Sequence, residues 1–366
     1  MRTLWQYYKN MAISAGRTID KDGNEKVAAY SIAWFYEGYH DNRLHEELHT
    51  LTQAFLGNEV AYEQVQCITD EEADTYGETL KNFCTGTPNA SQLRAIAHAM
   101  KNDITIIQGP PGTGKTATIQ NLLRCLMQQE ERPKVAVVSS NSEAIDNIVD
   151  LVKVDGVLKD IYAYLGRQKN RREFVYEHAE EEEIAEILEA CKKENGYKFA
   201  SELLNYYPIM FSTIHSLRKC ILSDDTFDGT FDYVIVDECS QVGSVLGLLA
   251  IESAKHLVLL GDDEQLAPIH HESGRNPEAR LSAEYYFDCD DNSFMKACKK
   301  HFGDRAANVF LDEHYRCHPA IIGFCNDYVY DNKLKVRSAE DGKLPIRVRW
   351  YEGDYWETLP VEANVH

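Results

Sequence analysis

Residues 108–116, QGPPGTGKT, combine residue types that bind a polyphosphate. Gly109, Gly112 and Gly114 let the backbone curl until its N–H groups point inward at phosphate oxygens. Lys115 is long enough to reach the β- and γ-phosphates, and the Thr116 hydroxyl can ligate Mg²⁺. Pro110, Pro111 and Thr113 complete the loop and Ala117 follows it, so residues 109–117 are the candidate contact with ATP. A flexible glycine-rich turn has no use for a lysine and a threonine in those places.

Further chemistry lies downstream. The apolar run 231–236 ends in Asp237 and Glu238. An acid at a strand tip can hold Mg²⁺ through water, and a second acid beside it can take a proton from an attacking water. Asp237 is therefore assigned to Mg²⁺ and Glu238 to the general base. Another apolar run leads into GDDEQLAPI, residues 261–269, where Gln265 can sense a γ-phosphate by hydrogen bonding without changing charge. In residues 310–334, Arg316 offers a planar fork suited to phosphate oxygens, and Tyr315 a ring on which a base can stack. His314, Cys317, His318 and Cys325 cluster there as well. Their spacing departs from the common zinc patterns, so polar and core roles on a helix are the expectation.

These residues need elements to hold them. An apolar run, 104–107, precedes the phosphate loop and a helical pattern, 117–127, follows it, which is the strand-loop-helix context such a loop requires. Strands are expected at 103–108, 134–139, 208–213, 231–236, 256–261 and 306–311. Each is continuous in Val, Ile and Leu rather than alternating, as in a parallel sheet covered on both faces. The expected fold is α/β, doubly wound, with ligands at the carboxyl ends of the strands.

Residues 150–207 form a detour between the second and third of these strands. Ile184, Ile187, Leu188 and Cys191 share one helix face there, with acids before it and lysines after it, so a helical insertion apart from the sheet is expected. Its segment GRQKNRR, 166–172, is a local basic patch, either a solvated face or a phosphate-backbone contact. Upstream, Leu44, Leu48, Leu51 and Phe55 recur at helical spacing, and 69–83 forms a further helical pattern.

Across its 366 residues the chain is 44% hydrophobic and 27% charged, ordinary for a globular protein. A net charge of −21 excludes a wholly basic nucleic-acid coat but permits a local basic groove. The N-terminus turns polar at once, unlike a signal peptide, and the longest apolar region, 242–260, carries Glu252, Lys255 and His256 and so does not span a membrane. Ten cysteines without a CxxC pair suit a reduced, cytoplasmic chain.

Taken together, the motifs resemble superfamily 1 helicases, in the branch of the nonsense-mediated-decay helicase. NASQLRAI (89–96) resembles the glutamine motif and GPPGTGKT (109–116) the Walker A motif. VAVVSSNSEAIDNI (135–148) and MFSTIHSL (210–217) resemble strand-end motifs that touch nucleic acid, and VIVDECSQ (234–241) resembles Walker B. LLGDDEQLAPI (259–269) and LDEHYRCHP (311–319) resemble the two that follow, and these are not shared with other phosphate-loop ATPases. The similarity spans about residues 85–360. The resemblance implies a RecA-like P-loop NTPase that uses ATP and Mg²⁺ and moves on single-stranded DNA or RNA. It assigns Gln92 to the adenine edge, and Asp262 with Gln265 to the coupling of nucleotide state to strand grip. Tyr315 would face the base and Arg316 the γ-phosphate, while Ser139, Ser140, Asn141, Thr213 and Pro268 would touch the strand.

The chain departs from the family pattern in three places. Cys239 stands where alanine is usual in Walker B. Residues 1–85 are short and helical where many relatives place a β-barrel. The blocks Gln-Gly-x-Glu and Thr-Arg-Ala-Arg of a second RecA-like domain are not found. The expected organisation is a helical region at 1–85, a first RecA-like domain at 86–335 with the insertion at 150–207, and the start of an incomplete second domain at 336–366. Full activity would then need that missing domain or another chain, and Lys115, Asp237 and Glu238 should lie on an open face. Two other readings share part of the pattern: an ATPase switch of the AAA type, and a module that binds ATP without turning it over. Replacing Lys115 tests the loop itself: Lys115→Ala should weaken ATP affinity about tenfold or more, the scale of a lost charge-assisted contact. Unchanged affinity in an equilibrium titration would remove the site assignment.

Overall fold

In the computed structural model, the residues described are 67–178, 181–193, 199, 201–217, 220–221, 231–243, 246–247, 250–251, 253–268 and 293–340. The expected helix at 44–55 and most of the expected region 1–85 lie outside them, as do residues 341–366. The chain enters through α1 (Asp70–Leu80) and α2 (Ala90–Lys101). Both begin with a capping box: Thr69 with Glu72, and Asn89 with Gln92. In each, the cap side chain accepts the third N–H of the helix while the third side chain accepts the cap's own N–H, so two otherwise unpaired donors are satisfied.

Then comes β1 (Ile104–Gln108), the phosphate loop, α3 (Lys115–Leu126), β2 (Val135–Ser139), α4 (Ser142–Lys153) and a short β3 (Tyr162–Tyr164). Helices α5 (Gln168–Glu177) and α6 (Ala185–Lys193) precede β4 (Ile209–Thr213), β5 (Phe231–Asp237) and β6 (Ala254–Gly261). The last part holds α7 (Phe294–Phe302), β7 (Ala307–Phe310), β8 (Glu313–His314), α8 (Pro319–Tyr328) and β9 (Lys335–Val336).

A seven-stranded sheet runs in the order β3-β4-β2-β5-β6-β1-β7. Its pairings are all parallel. Every strand expected from the sequence is in it, within two residues at either end. Successive residues go to opposite faces, and both faces are buried. Ile104, Ile106, Val138, Met210, Val236 and Leu259 pack with Phe294, Met295 and Phe302 of α7. Ile107, Val137, Phe211, Ile235, Val258 and Leu260 pack with α2, α3 and α4 through Ile96, Ile119, Leu123 and Ile148. Two covered faces explain why these runs carry no alternation. No helix among the described residues is long and apolar enough to cross a membrane.

The detour differs from its expectation. Tyr162–Tyr164 pairs with Ile209–Phe211 and forms the edge of the sheet, so residues 150–207 are not wholly separate from it. Three residues with two tyrosines are too short a run to stand out from a helical background. Among the described residues of the detour, α5 and α6 are helical, and Phe174, Ile184, Leu188 and Leu203 join the sheet's core on the α7 side. A second difference concerns the expected boundary at 335. There β9 pairs with β8, so the boundary runs through a two-stranded parallel sheet. The unit β8-α8-β9 has its own small cluster of Ile322, Tyr330 and Leu334.

The strand ends are drawn tight by backbone contact. Gly109 N–H donates to Gly261 O at 2.8 Å. A Cβ on Gly261 would lie 2.8 Å from Ser240 N and 2.8 Å from Met295 Sδ. Gly261→Ala should therefore cost about 1–3 kcal/mol, the range for overpacking a dense core. Urea denaturation measures it, with Gly156→Ala as control because nothing lies within 4 Å of its added carbon. Equal midpoints for the two variants would contradict the close approach.

Candidate functional site

The parallel register brings the motif residues to one edge. Gln108 pairs with Gly261 and Phe310, and Ser139 with Thr213 and Asp237. The loops that leave these positions therefore share one surface, at the carboxyl ends of the strands.

The phosphate loop is held from within. Thr113 is fully buried, and its hydroxyl donates to Pro110 O at 2.7 Å. Helix α3 starts at Lys115, so its unpaired N–H groups and positive end face the loop. The Lys115 ammonium donates to Gly109 O at 2.9 Å and stands 3.6 Å from Glu238 Oε1. Thr116, in the first turn, is half-buried.

Asp237 ends β5, and Glu238 turns the chain with φ 49°, ψ 42°. A side chain in this left-handed region costs about 1–3 kcal/mol, and such strain clusters at functional sites. The turn lets a short 3₁₀ segment, Cys239–Gln241, tuck beneath β6 and leaves Glu238 partly exposed. Asp237 is only 4% exposed, which corrects the expectation that it lies on an open face: the tip of a central strand is covered on both sides. Its Oδ1 is buried without a hydrogen-bond partner. Burial, then the neighbouring Glu238 charge, pushes its pKa up to about 7, while Lys115 pulls the other way. A carboxylate oxygen left over beside a threonine-bearing helix start fits the oxygen donors that Mg²⁺ takes. Asp237 and Thr116 are the residues here that would hold it.

Gln92, expected at the adenine edge, is bonded within the protein in this structure. Its Oε1 accepts the Asn89 N–H at 3.1 Å and its Nε2 donates to Thr113 O at 3.0 Å, inside the protein. Both ends of the amide are thus used on the capping box and the phosphate loop. Tyr315 is half exposed; its hydroxyl accepts from Asn89 Nδ2 at 3.2 Å and donates to Glu313 at 2.6 Å, and its ring remains available for stacking. Tyr315 N–H donates to Gly112 O at 3.0 Å. Gly112 has φ +75°, and a Cβ on it would meet Arg316 Cβ and His314 Cε1, each at 2.6 Å. Arg316 is exposed, its stem against the phosphate loop.

Asp262 is fully buried and heavily bonded. It accepts from Gln108 Nε2 at 2.5 Å, from Gln265 Nε2 at 2.8 Å and from the Tyr330 hydroxyl at 2.8 Å. Gln108 also accepts from Lys299, which pairs with Asp263 at 2.6 Å. Gln108, Tyr330 and Lys299 were not singled out from the sequence. Gln108 had a signal, its place directly before the first loop glycine; Lys299 had none.

The candidate strand contacts are unequal. Ser139 is fully buried and its hydroxyl accepts the Asn141 N–H, so its side chain is not presented for a grip. Asn141 is exposed but caps α4 through Glu143 N–H. Ser140, Thr213 and Pro268 are half-buried. In the basic patch, Arg171 is buried and donates to Leu165 O at 2.8 Å, while Arg167 and Arg172 are exposed. Among the described residues no group of three or more His, Cys, Asp and Glu side chains could hold a metal ion. Cys67, Cys84, Cys125, Cys220, Cys239, Cys298, Cys317 and Cys325 form no disulfide.

A family profile described as an AAA domain matches residues 92–271. The chain is 26% identical over 352 residues to the DNA polymerase alpha-associated DNA helicase A of Saccharomyces cerevisiae, covering 79% of this chain and 50% of that protein. It is 30% identical over 264 residues to the DNA replication ATP-dependent helicase/nuclease DNA2 of Mus musculus, covering 71% of this chain and 22% of that protein. The chain thus spans half the length of the first relative and less than a quarter of the second.

The raised pKa of Asp237 has a consequence for stability. Between its unfolded value of about 3.9 and its folded value the native state binds the extra proton, so stability falls as pH rises through that window. Urea midpoints measured from pH 5 to 8 without divalent metal should decline for the parent chain and hold more nearly level for Asp237→Asn. The same decline in both would show that another group is responsible.

Proposed function

We propose, from the chain's similarity to superfamily 1 helicases, that it is the ATP-hydrolysing part of a nucleic-acid-dependent translocase. The observation that carries this reading is the convergence on one sheet edge of the phosphate loop, the acid pair and the arginine turn. Lys115 lies 3.6 Å from Glu238, and Tyr315 is bonded to Gly112.

In this reading the loop N–H groups and the start of α3 bind the phosphates. The Lys115 ammonium stabilises charge that develops on the transferring group, in a site where preformed donors need little reorganisation. Glu238, partly exposed and free to reach a water, accepts the proton of the attacking water. Asp237 and Thr116 would hold Mg²⁺, which would supply charge neutralisation at the phosphates. Arg316 adds a fork to the γ-phosphate, and Gln265, held by Asp262, reports its presence. Tyr315 stacks on the base. Gln92 acts on the nucleotide through Thr113 and the loop backbone.

The strand is single-stranded DNA or RNA, gripped along its backbone across the ends of β2 and β4 by Ser140, Asn141 and Thr213, and near Pro268. Such binding weakens steeply with salt. Full turnover needs a second RecA-like domain, read to start at 336, or another chain.

Steady-state ATP hydrolysis with and without single-stranded DNA or RNA tests the proposal. A strand should stimulate turnover, and Glu238→Gln should bind ATP normally while losing about 10²-fold or more of the rate, the scale of general-base removal. Tight ATP binding with flat turnover under all conditions would favour the binding-module reading for this chain. Unchanged turnover in Glu238→Gln would remove that residue from the chemistry.

A further inference from the structure

His314 is fully buried between the phosphate loop and the turn that carries Tyr315 and Arg316. Its Nδ1 lies 2.7 Å from Pro111 O, and its Nε2 lies 2.7 Å from the backbone nitrogen of Cys317. These partners fix its chemistry. A carbonyl oxygen only accepts, so Nδ1 carries a proton and donates to Pro111. A backbone N–H only donates, so Nε2 presents a lone pair to Cys317. Only the neutral imidazole in its Nδ1–H tautomer satisfies both bonds; an imidazolium would set Nε2–H against the Cys317 N–H.

The surroundings leave the ring little freedom. Its Cε1 and the Cβ of Arg316 both press on Gly112, where an added Cβ would lie 2.6 Å from each. Tyr315 N–H donates to Gly112 O at 3.0 Å, and Arg337 N–H donates to His314 O at 2.8 Å, which anchors β9 to the same residue. The imidazole is thus the side-chain tie between the loop at 111 and the turn at 317, with the arginine between its two ends.

We propose that His314 is a positioning residue that, as a neutral Nδ1–H imidazole, clamps the phosphate loop to the arginine turn and so sets Arg316 at the nucleotide site. The proposal rests on the reading of that site as an ATP site. Burial, followed by the nearby Arg316 charge, holds the imidazole pKa below its ordinary value and so favours the neutral form, against the opposing pull of the Pro111 carbonyl. His314 acts on the nucleotide only through Arg316 and the loop, so its loss and the loss of Arg316 are not independent.

Two measurements on the full chain test this. With ¹⁵N-labelled histidine, long-range nitrogen–proton correlation shows which ring nitrogen is protonated, the His314 signals being assigned by their disappearance in His314→Gln. The expected result at pH 7.5 is a proton on Nδ1 alone. A proton on Nε2, or on both, overturns the clamp. Binding of a fluorescent ATP analogue is then measured for the parent, His314→Ala, His314→Gln, Arg316→Ala and the His314→Ala/Arg316→Ala double variant. His314→Ala should weaken binding about tenfold and His314→Gln clearly less, because glutamine can both donate and accept. The double variant should be no weaker than the weaker-binding single within about twofold, the mark of residues acting as one unit. Losses that multiply overturn the proposal while leaving the ATP site intact. A parent chain that does not bind the analogue overturns the site reading itself. Should His314→Ala fail to fold, His314→Gln/Arg316→Ala replaces it in the cycle, and the tautomer still decides the clamp.

Discussion

The site depends on parallel strands that end at the same level. In such an edge the last backbone groups have lost their ladder partners, and buried polar groups must find others. Here they find one another. Gly109 N–H donates to Gly261 O, and Leu311 N–H donates to Gln108 O at 2.9 Å. Beneath them Gly261 passes so close to Ser240 N that no side chain fits. The phosphate loop, the acid pair and the loop after β6 are consequently joined through backbone. Their side chains inherit fixed places, which is how an ammonium and a carboxylate come to face each other at 3.6 Å without a direct hydrogen bond.

Two buried aspartates at this edge show what polar satisfaction separates. Asp262 is saturated: Gln108, Gln265 and Tyr330 all donate to it. A carboxylate so supplied is a structural hub, and its charge is stabilised by oriented donors. Asp237 is left with an unpaired buried oxygen and a like-charged neighbour. In a folded protein that arrangement costs free energy, of the kind a bound cation repays. The same side chain at two neighbouring strand ends therefore has opposite surroundings, distinguished by hydrogen bonds that no local sequence rule gives.

The sheet and its loops were legible because they are written locally. A buried parallel strand is a continuous apolar run, and a phosphate loop is a spacing of glycines, lysine and threonine. Tyr162–Tyr164 was not legible, since its strand character comes from pairing with Ile209–Phe211 and not from its own three residues. Gln92 shows the same limit in the site. Its type and place were visible from the motif, but its engagement with Thr113, across 21 residues of chain, is a tertiary fact. The family resemblance gives Ser139 a strand contact, yet it is the last covered rung of β2, with Thr213 and Asp237 on either side. His314 was visible only as one member of a cysteine–histidine cluster, because nothing in its neighbourhood announces that its partners are carbonyl and amide groups of the backbone.

The small unit β8-α8-β9 ties two parts of the site together. It holds the main sheet at separate points that matter for different reasons. His314 and Tyr315, at its start, bond the phosphate loop at Pro111 and Gly112. Tyr330, near its end, bonds Asp262, which in turn holds Gln265. Its own apolar cluster is far smaller than either cluster flanking the sheet, so these polar contacts make up a larger share of its attachment. Tyr315 directly follows β8 and Tyr330 lies between α8 and β9, so a translation of the unit as one body shifts both contacts. Any such displacement is felt at the phosphate loop and at the loop bearing Gln265 together. Coupling of two loops through one element that both contact is a physical route, and it requires no chain of intermediaries between them.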